Sequence, residues 1–157
     1  RWLELPGAAI QPDGLIHVHH GTQPLWIRLL PAGRTIIATR VGMMPVGFRM
    51  WPWHHPPPDQ GLGGSSVGGP ILEPAPGLEE ALGNQLHVES NDPQALARLL
   101  DTDVIAPILA AGEGGAGSFA GLTYDGDLLM VHLAGPMAAD PQRGAHLARL
   151  LWEPWMP

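Results

Sequence analysis

The stretch that decides the fold is a strand–turn–strand signal in the last third of the chain. It reads Phe119-Ala-Gly-Leu-Thr-Tyr-Asp-Gly-Asp-Leu-Leu-Met-Val-His-Leu133. Two runs of aromatic, β-branched and aliphatic residues flank Asp125-Gly126, and Asp-Gly suits the positive φ angles of a type I′ turn. We therefore predict an antiparallel hairpin with strands at 119–124 and 128–133, and we build the rest of the sheet around it.

Four more segments in the first third of the chain favour strands. They cover residues 15–20, 25–30, 35–41 and 46–53. In the first segment apolar residues alternate with His17 and His19, which is the pattern of a strand with one buried face. The last segment contains Gly47 and Pro52, which weaken a strand, so we expect that it either lies at an edge of the sheet or ends early. Residues 86–90 alternate as well, and the predicted total is six or seven strands.

Two predicted helices begin with the same N-terminal capping motif, Asp-Pro, at Asp92-Pro93 and at Asp140-Pro141. The aspartate caps an orphan backbone N–H, and proline at the first helical position loses no hydrogen bond. Asp101 indicates a third helix start, and Pro107 should kink or shorten the helix that follows it. We expect two or three short helices on one face of the sheet.

Residues 54–83 differ in character from the rest, because thirteen of these thirty residues are Gly or Pro. Such a stretch has little regular structure, and we expect a long ordered loop. The whole chain is interpreted as a single α+β domain at 1–157 with an antiparallel sheet. It has a strand-rich part at 1–53, the Gly/Pro-rich loop at 54–84, and a mixed strand and helix part at 85–157.

The composition excludes several classes of enzyme and binding site. The chain has no cysteine, which excludes disulfides, thiolate nucleophiles and zinc sites built on sulfur. It also has no lysine, which excludes Schiff-base enzymes and the lysine of a phosphate-binding loop. Ser65 and Ser66 lack the strand-to-helix setting of a nucleophile elbow. The sequence therefore indicates no enzyme and no cofactor.

Charge is strongly segregated along the chain, whose net charge is −7. Residues 14–58 hold four arginines and no acid, whereas residues 59–140 hold twelve acids and one arginine. A chain this acidic is not expected to bind nucleic acid, because phosphate contacts need clustered cations. Two interpretations of the basic stretch stay open. It can face an anionic surface such as a membrane, or it can complement the acidic part within one fold.

One block in the second half has a recurrent spacing. Leu86-His-Val-Glu-Ser-Asn-Asp92 is followed by Leu99-Leu100, a short helix and the hairpin at Asp125-Gly126. Over roughly residues 86–133 this block resembles a poorly characterised prokaryotic membrane-associated α+β domain family, in which transmembrane helices precede a cytoplasmic region. The resemblance implies the fold and membrane association, and it implies no activity and no catalytic residue.

Tryptophan, methionine and arginine concentrate in two places and favour an interface. The candidate interface residues are Arg40, Met43, Met44, Arg49, Met50, Trp51, Trp53, Trp152 and Trp155. The alternative is that these tryptophans cap the ends of the core. A separate candidate is a metal site at His17 and His19, with a third ligand from His20, His54 or His55.

These observations predict a non-catalytic interaction or accessory domain in a larger assembly. The expected partners are proteins, with an anionic membrane surface as a second candidate, and we expect a cytoplasmic location, either free or at the inner face of the membrane. The alternatives are a histidine-based metal-binding domain and an enzyme of unrecognised type.

Overall fold

The computed structural model describes residues 2–5, 7–12, 14–20, 22–42, 46–58, 72–114 and 118–156. These residues contain nine strands in one fully antiparallel sheet of order β1-β2-β3-β4-β9-β8-β5-β7-β6. The strands are β1 (Ala9–Ile10), β2 (Ile16–His20), β3 (Gln23–Leu30), β4 (Arg34–Arg40), β5 (Phe48–Pro52), β6 (Glu73–Pro74), β7 (Leu86–Ser90), β8 (Phe119–Tyr124) and β9 (Leu128–Leu133).

The predicted hairpin is confirmed, and it lies in the middle of the sheet. β8 and β9 pair with each other, starting with Tyr124 opposite Leu129 next to the turn. On their other sides, β9 pairs with β4 and β8 pairs with β5. The turn differs from type I′, because only Gly126 has a positive φ, of 104°. The Asp125 carboxylate instead accepts hydrogen bonds from the backbone N–H groups of Asp127 (3.0 Å) and Leu128 (2.9 Å), as in an Asx turn.

The sheet has more strands than we predicted. The two additional strands, β1 and β6, have only two residues each and lie at its two edges. Of the two alternatives for the strand at 46–53, the edge position is wrong, because β5 lies between β8 and β7, whereas the early end is observed, because β5 ends at Pro52. Pro52 is tolerated there because the pairing of β5 with β8 ends at Met50, two residues before the proline.

Five short α-helices are present in the described residues, rather than two or three. They are α1 (Pro76–Ala81), α2 (Pro93–Leu99), α3 (Thr102–Gly114), α4 (Gly135–Ala139) and α5 (Pro141–Trp152). The predicted caps are confirmed, since Asp92 accepts from the Ala95 N–H and Asp140 from the Arg143 N–H. The predicted shortening at Pro107 is wrong, because α3 continues through it to Gly114, whereas a kink at Pro107 stays a prediction.

One face of the sheet packs against the helices and forms the core. Alternate strand residues such as Ile27, Ile37 and Val131 are fully buried in one cluster with helix residues such as Ile108 and Leu151. Burying a side chain of this size contributes about 1.5–3 kcal/mol. Alternation then directs the remaining strand side chains to the opposite face, which we call the outward face.

The edge of the sheet at β7 is closed by side-chain and backbone contacts. The Val88 N–H donates to Glu79 Oε2 at 3.2 Å, and the Val88 carbonyl accepts from the Ala75 N–H at 2.9 Å. β6 pairs with the next two residues of β7. Both backbone groups of Val88 are therefore satisfied within the chain.

Part of the predicted Gly/Pro-rich loop at 54–84 is regular structure, since it contains β6 and α1. Residues 59–71 lie outside the described residues. Before them, Pro58 is buried against β8, where a Cβ on Gly121 would lie 2.8 Å from Pro58 Cγ and 3.0 Å from the Met50 carbonyl oxygen. Only glycine lets these two segments approach so closely.

We predict that Gly121→Ala lowers the free energy of unfolding by about 1–3 kcal/mol, because the new methyl group overpacks a buried contact. Gly77→Ala is the matched control, since a Cβ at Gly77 meets nothing within 4 Å. It should leave stability unchanged or raise it slightly, because alanine favours helix. Urea unfolding measures both, and equal stability of the two variants would contradict the prediction.

Candidate interaction surface

The outward face of the sheet has an apolar centre and a rim of arginine and aromatic side chains. The centre consists of Ile36, Ala38 and Met130, which are buried, with Trp26, Leu30 and Leu128 packed around them. The rim, which we call the arginine–aromatic rim, consists of Trp26, Arg28, Arg34, Arg40, Arg49, Trp51, Trp53 and His87. All four arginines of the basic stretch at 14–58 therefore belong to one face.

Trp26 organises the part of the rim on β2, β3 and β4. The Arg40 guanidinium lies 5.2 Å from the centroid of the Trp26 ring, and its Nε lies 3.1 Å from Asp127 Oδ1. On the other side, the His17 ring stacks on Trp26 with centroids 5.5 Å apart. The indole is thus held between a cation and an imidazole, which fixes its orientation.

A second aromatic group lies on β5 and β7. The His87 ring lies against Trp51 (5.1 Å between centroids) and Trp53 (3.9 Å). The Arg49 guanidinium lies 5.2 Å from the Trp51 ring centroid and forms an ion pair with Glu89, with Nε 2.9 Å from Oε1. Trp53 is 54% exposed although it is a large apolar side chain, so this group offers contact area to a partner.

Arg28 and Arg34 differ from the other two arginines of the rim. Arg40 and Arg49 are neutralised by Asp127 and Glu89, which come from the acidic part of the chain. Across the described ranges, no acidic side chain forms an ion pair with Arg28 or Arg34. Both interpretations of the basic stretch therefore have support, because half of its charge is complemented within the fold and half is not.

Burial separates the predicted interface residues into two groups. Arg40, Arg49, Trp51 and Trp53 belong to the rim, although only 7% of Trp51 is exposed. Three others offer no contact surface because they are core residues: Met50 (0% exposed), Trp152 (3%) and Trp155 (9%). For these three the alternative of a role in the core is the one that burial favours. Met43 and Met44 lie outside the described residues.

Sequence reasoning missed four members of the rim, namely Trp26, Arg28, Arg34 and His87. A usable signal was present, because Trp26 and Arg28 alternate with Leu25 and Ile27 in a predicted strand. Once two apolar residues are assigned to the core, the residues between them must point outward.

The histidine pair proposed as a metal site is on the outward face, with the rings of His17 and His19 edge to face and 5.0 Å between centroids. His54 and His55 follow β5, which lies five strand spacings, about 24 Å, from β2. This separation removes them as a third ligand. Among the side chains that the structure describes, no group of three or more histidine or acidic residues could hold a metal ion.

The helical side has a shallow depression of about 320 Å³ on α5, lined by Gln142, Arg143, His146, Leu147 and Leu150. All five residues come from one helix, and they include no nucleophile beside a base. In the parts of the chain described, no helix is both long and apolar enough to cross a membrane.

Comparison with known proteins shows that this chain is similar in fold to one solved structure. No protein-family model matches the chain, and no curated protein matches it either. The crystal structure of the mycobacterial trehalose monomycolate transport factor A, TtfA, is similar over 92% of this chain and 73% of that chain. The TM-score is 0.56 and the sequence identity is 13%, so the two chains share an architecture.

A buried histidine lies beneath the rim. His132 is 2% exposed, and its Nε2 lies 3.0 Å from Thr123 Oγ1. The pKa of His132 is lowered from 6.5 to about 3. The main cause is burial, which disfavours the charged imidazolium, and the positive charges of Arg34 and Arg49 also contribute. The imidazole is therefore neutral at pH 7 and adds no charge to the outward face.

We predict that His132 makes stability depend on pH between about 6.5 and about 3. In this window the unfolded chain binds a proton that the folded chain does not, so the free energy of unfolding falls as the pH falls. The slope contributed by this group is at most about 1.4 kcal/mol per pH unit.

Urea unfolding across this pH range measures the effect. His132→Gln can keep a hydrogen bond to Thr123 and should reduce the slope, whereas His146→Gln, at an exposed position on α5, should not. Identical slopes in the wild type and the His132→Gln variant would contradict the prediction.

Proposed function

We propose that this chain is a non-catalytic accessory domain that docks on a protein partner in a larger assembly through the outward face of its sheet. The observation that carries the proposal is the arginine–aromatic rim. Trp26 and Trp53 are each held by contact with a histidine ring, and Arg28 and Arg34, which lie near Trp26, form no ion pair within the described residues. Rigid tryptophans next to arginines are the residue types that contribute most to protein–protein binding.

The absence of a catalytic arrangement among the described groups is compatible with this proposal. Its best-buried titratable side chain, His132, is hydrogen-bonded to Thr123 and surrounded by packed side chains. The similar structure, TtfA, is described as a transport factor, which agrees with an accessory role. Membrane association, which the resemblance in the sequence implies, stays a prediction.

Site-specific photo-crosslinking in the native host tests the proposal. A photoreactive phenylalanine analogue at Trp53 or Trp26 should give covalent products with a partner protein, because both side chains lie on the rim. The same analogue at Gln94, an exposed position on α2, should give none or far fewer. Equal products from rim and helix positions, or no products from the rim, would overturn the proposal.

A further inference from the structure

We propose that Arg28 and Arg34 form a carboxylate-binding pair, and that the partner segment seated on the outward face is acidic. This inference rests on the proposed function and names the chemistry of the partner. It depends on three properties of the two arginines: their position next to each other, the lack of an ion pair with any acidic side chain that the structure describes, and their place beside Trp26.

The strand register places the two arginines at neighbouring positions on one face. β3 and β4 pair with Arg28 opposite Ile36 and with Leu30 opposite Arg34. Arg28 and Arg34 are therefore diagonal neighbours on the same face, and long side chains at such positions reach each other. Trp26 lies two residues before Arg28 on the same strand and the same face, so an indole flanks the pair.

Two like charges at these positions repel each other unless an anion lies between them. Both arginines are only half-exposed, which reduces the compensation that water gives. The neighbouring centre of the face is apolar, with Ile36 and Ala38, and supplies no negative charge. An oxyanion between the two guanidinium groups would relieve this repulsion, and the arginine fork matches a carboxylate in a bidentate contact.

The charge of the chain favours a protein carboxylate over a lipid headgroup. Each arginine near an anionic bilayer increases binding by about fivefold. Arg40 and Arg49 are already paired, so only two arginines on this face contribute to binding an anionic surface. A carboxylate bound by both guanidiniums gains about tenfold or more from each charge-assisted hydrogen bond.

The test uses fluorescence anisotropy with a labelled peptide of about twelve alternating Glu and Thr residues, a composition that favours an extended chain. A matched peptide of Gln and Thr has the same length and no charge. The whole chain should bind the Glu peptide in preference to the Gln peptide, and added salt should weaken the binding.

The double variant Arg28→Gln, Arg34→Gln should bind the Glu peptide at least tenfold more weakly than the wild type does. Arg98→Gln with Arg143→Gln is the matched control, because it removes the same charge from exposed positions on α2 and α5 and should leave binding unchanged. Arg28→Lys with Arg34→Lys keeps the charge and loses the fork, so it should give an intermediate affinity. Circular dichroism confirms that each variant is folded.

Several results would overturn the inference. They are equal binding of the Glu and Gln peptides, equal weakening by the rim and helix variants, and no binding of the Glu peptide at roughly 1 mM. Arg28- and Arg34-dependent sedimentation with vesicles of about seven parts phosphatidylcholine to three parts phosphatidylglycerol, without peptide binding, would assign the pair to a membrane instead.

The two proposals can fail separately. If crosslinking from Trp26 and Trp53 persists in the Arg28→Gln, Arg34→Gln variant at wild-type yield, the carboxylate-binding pair is wrong and the docking face is retained. If rim positions give no crosslinks in the wild type, the proposed function fails, whatever the peptide does.

Discussion

The strict alternation of side chains in the strands is the constraint on which the rest of this structure depends. β3, β4 and β9 each place apolar residues such as Ile27, Ile37 and Val131 beneath the helices. Since the period of a strand is two, a shift of one residue would expose these side chains to water and bury Arg28 and Arg34. The hydrophobic face fixes the register, and the register in turn collects the arginines of residues 14–58 on the opposite face.

This constraint explains why a large part of the fold is accessible from the sequence. The hairpin at 119–133 and the caps at Asp92 and Asp140 are local signals, and each has the predicted role. Antiparallel pairing follows from the short connections within β2–β4 and between β8 and β9. The wrong prediction, an edge position for β5, concerns long-range pairing. β5 is central because it pairs with β8, which follows it by almost seventy residues, and no local sequence pattern encodes that pairing.

The candidate surface was accessible only in part, for a related reason. Hydrophobicity and residue type place Trp53 and Trp152 in the same class, yet one is 54% exposed and the other 3%. The difference arises from position, since Trp152 ends α5 above the core and Trp53 follows the last residue of β5. Composition alone therefore overstates an interface, whereas alternation within a strand would have found Trp26 and Arg28.

The hydrogen bond from Val88 to the Glu79 carboxylate has a consequence for self-association. A side-chain oxygen occupies the place where the backbone of an additional strand would bind, and the short β6 covers the positions beside it. Exposed edges are the usual starting points for fibrillar growth, and acidic side chains at such borders discourage it. Any polymer built by adding strands would therefore have to start at the opposite border, where β1 covers only the first two residues of β2.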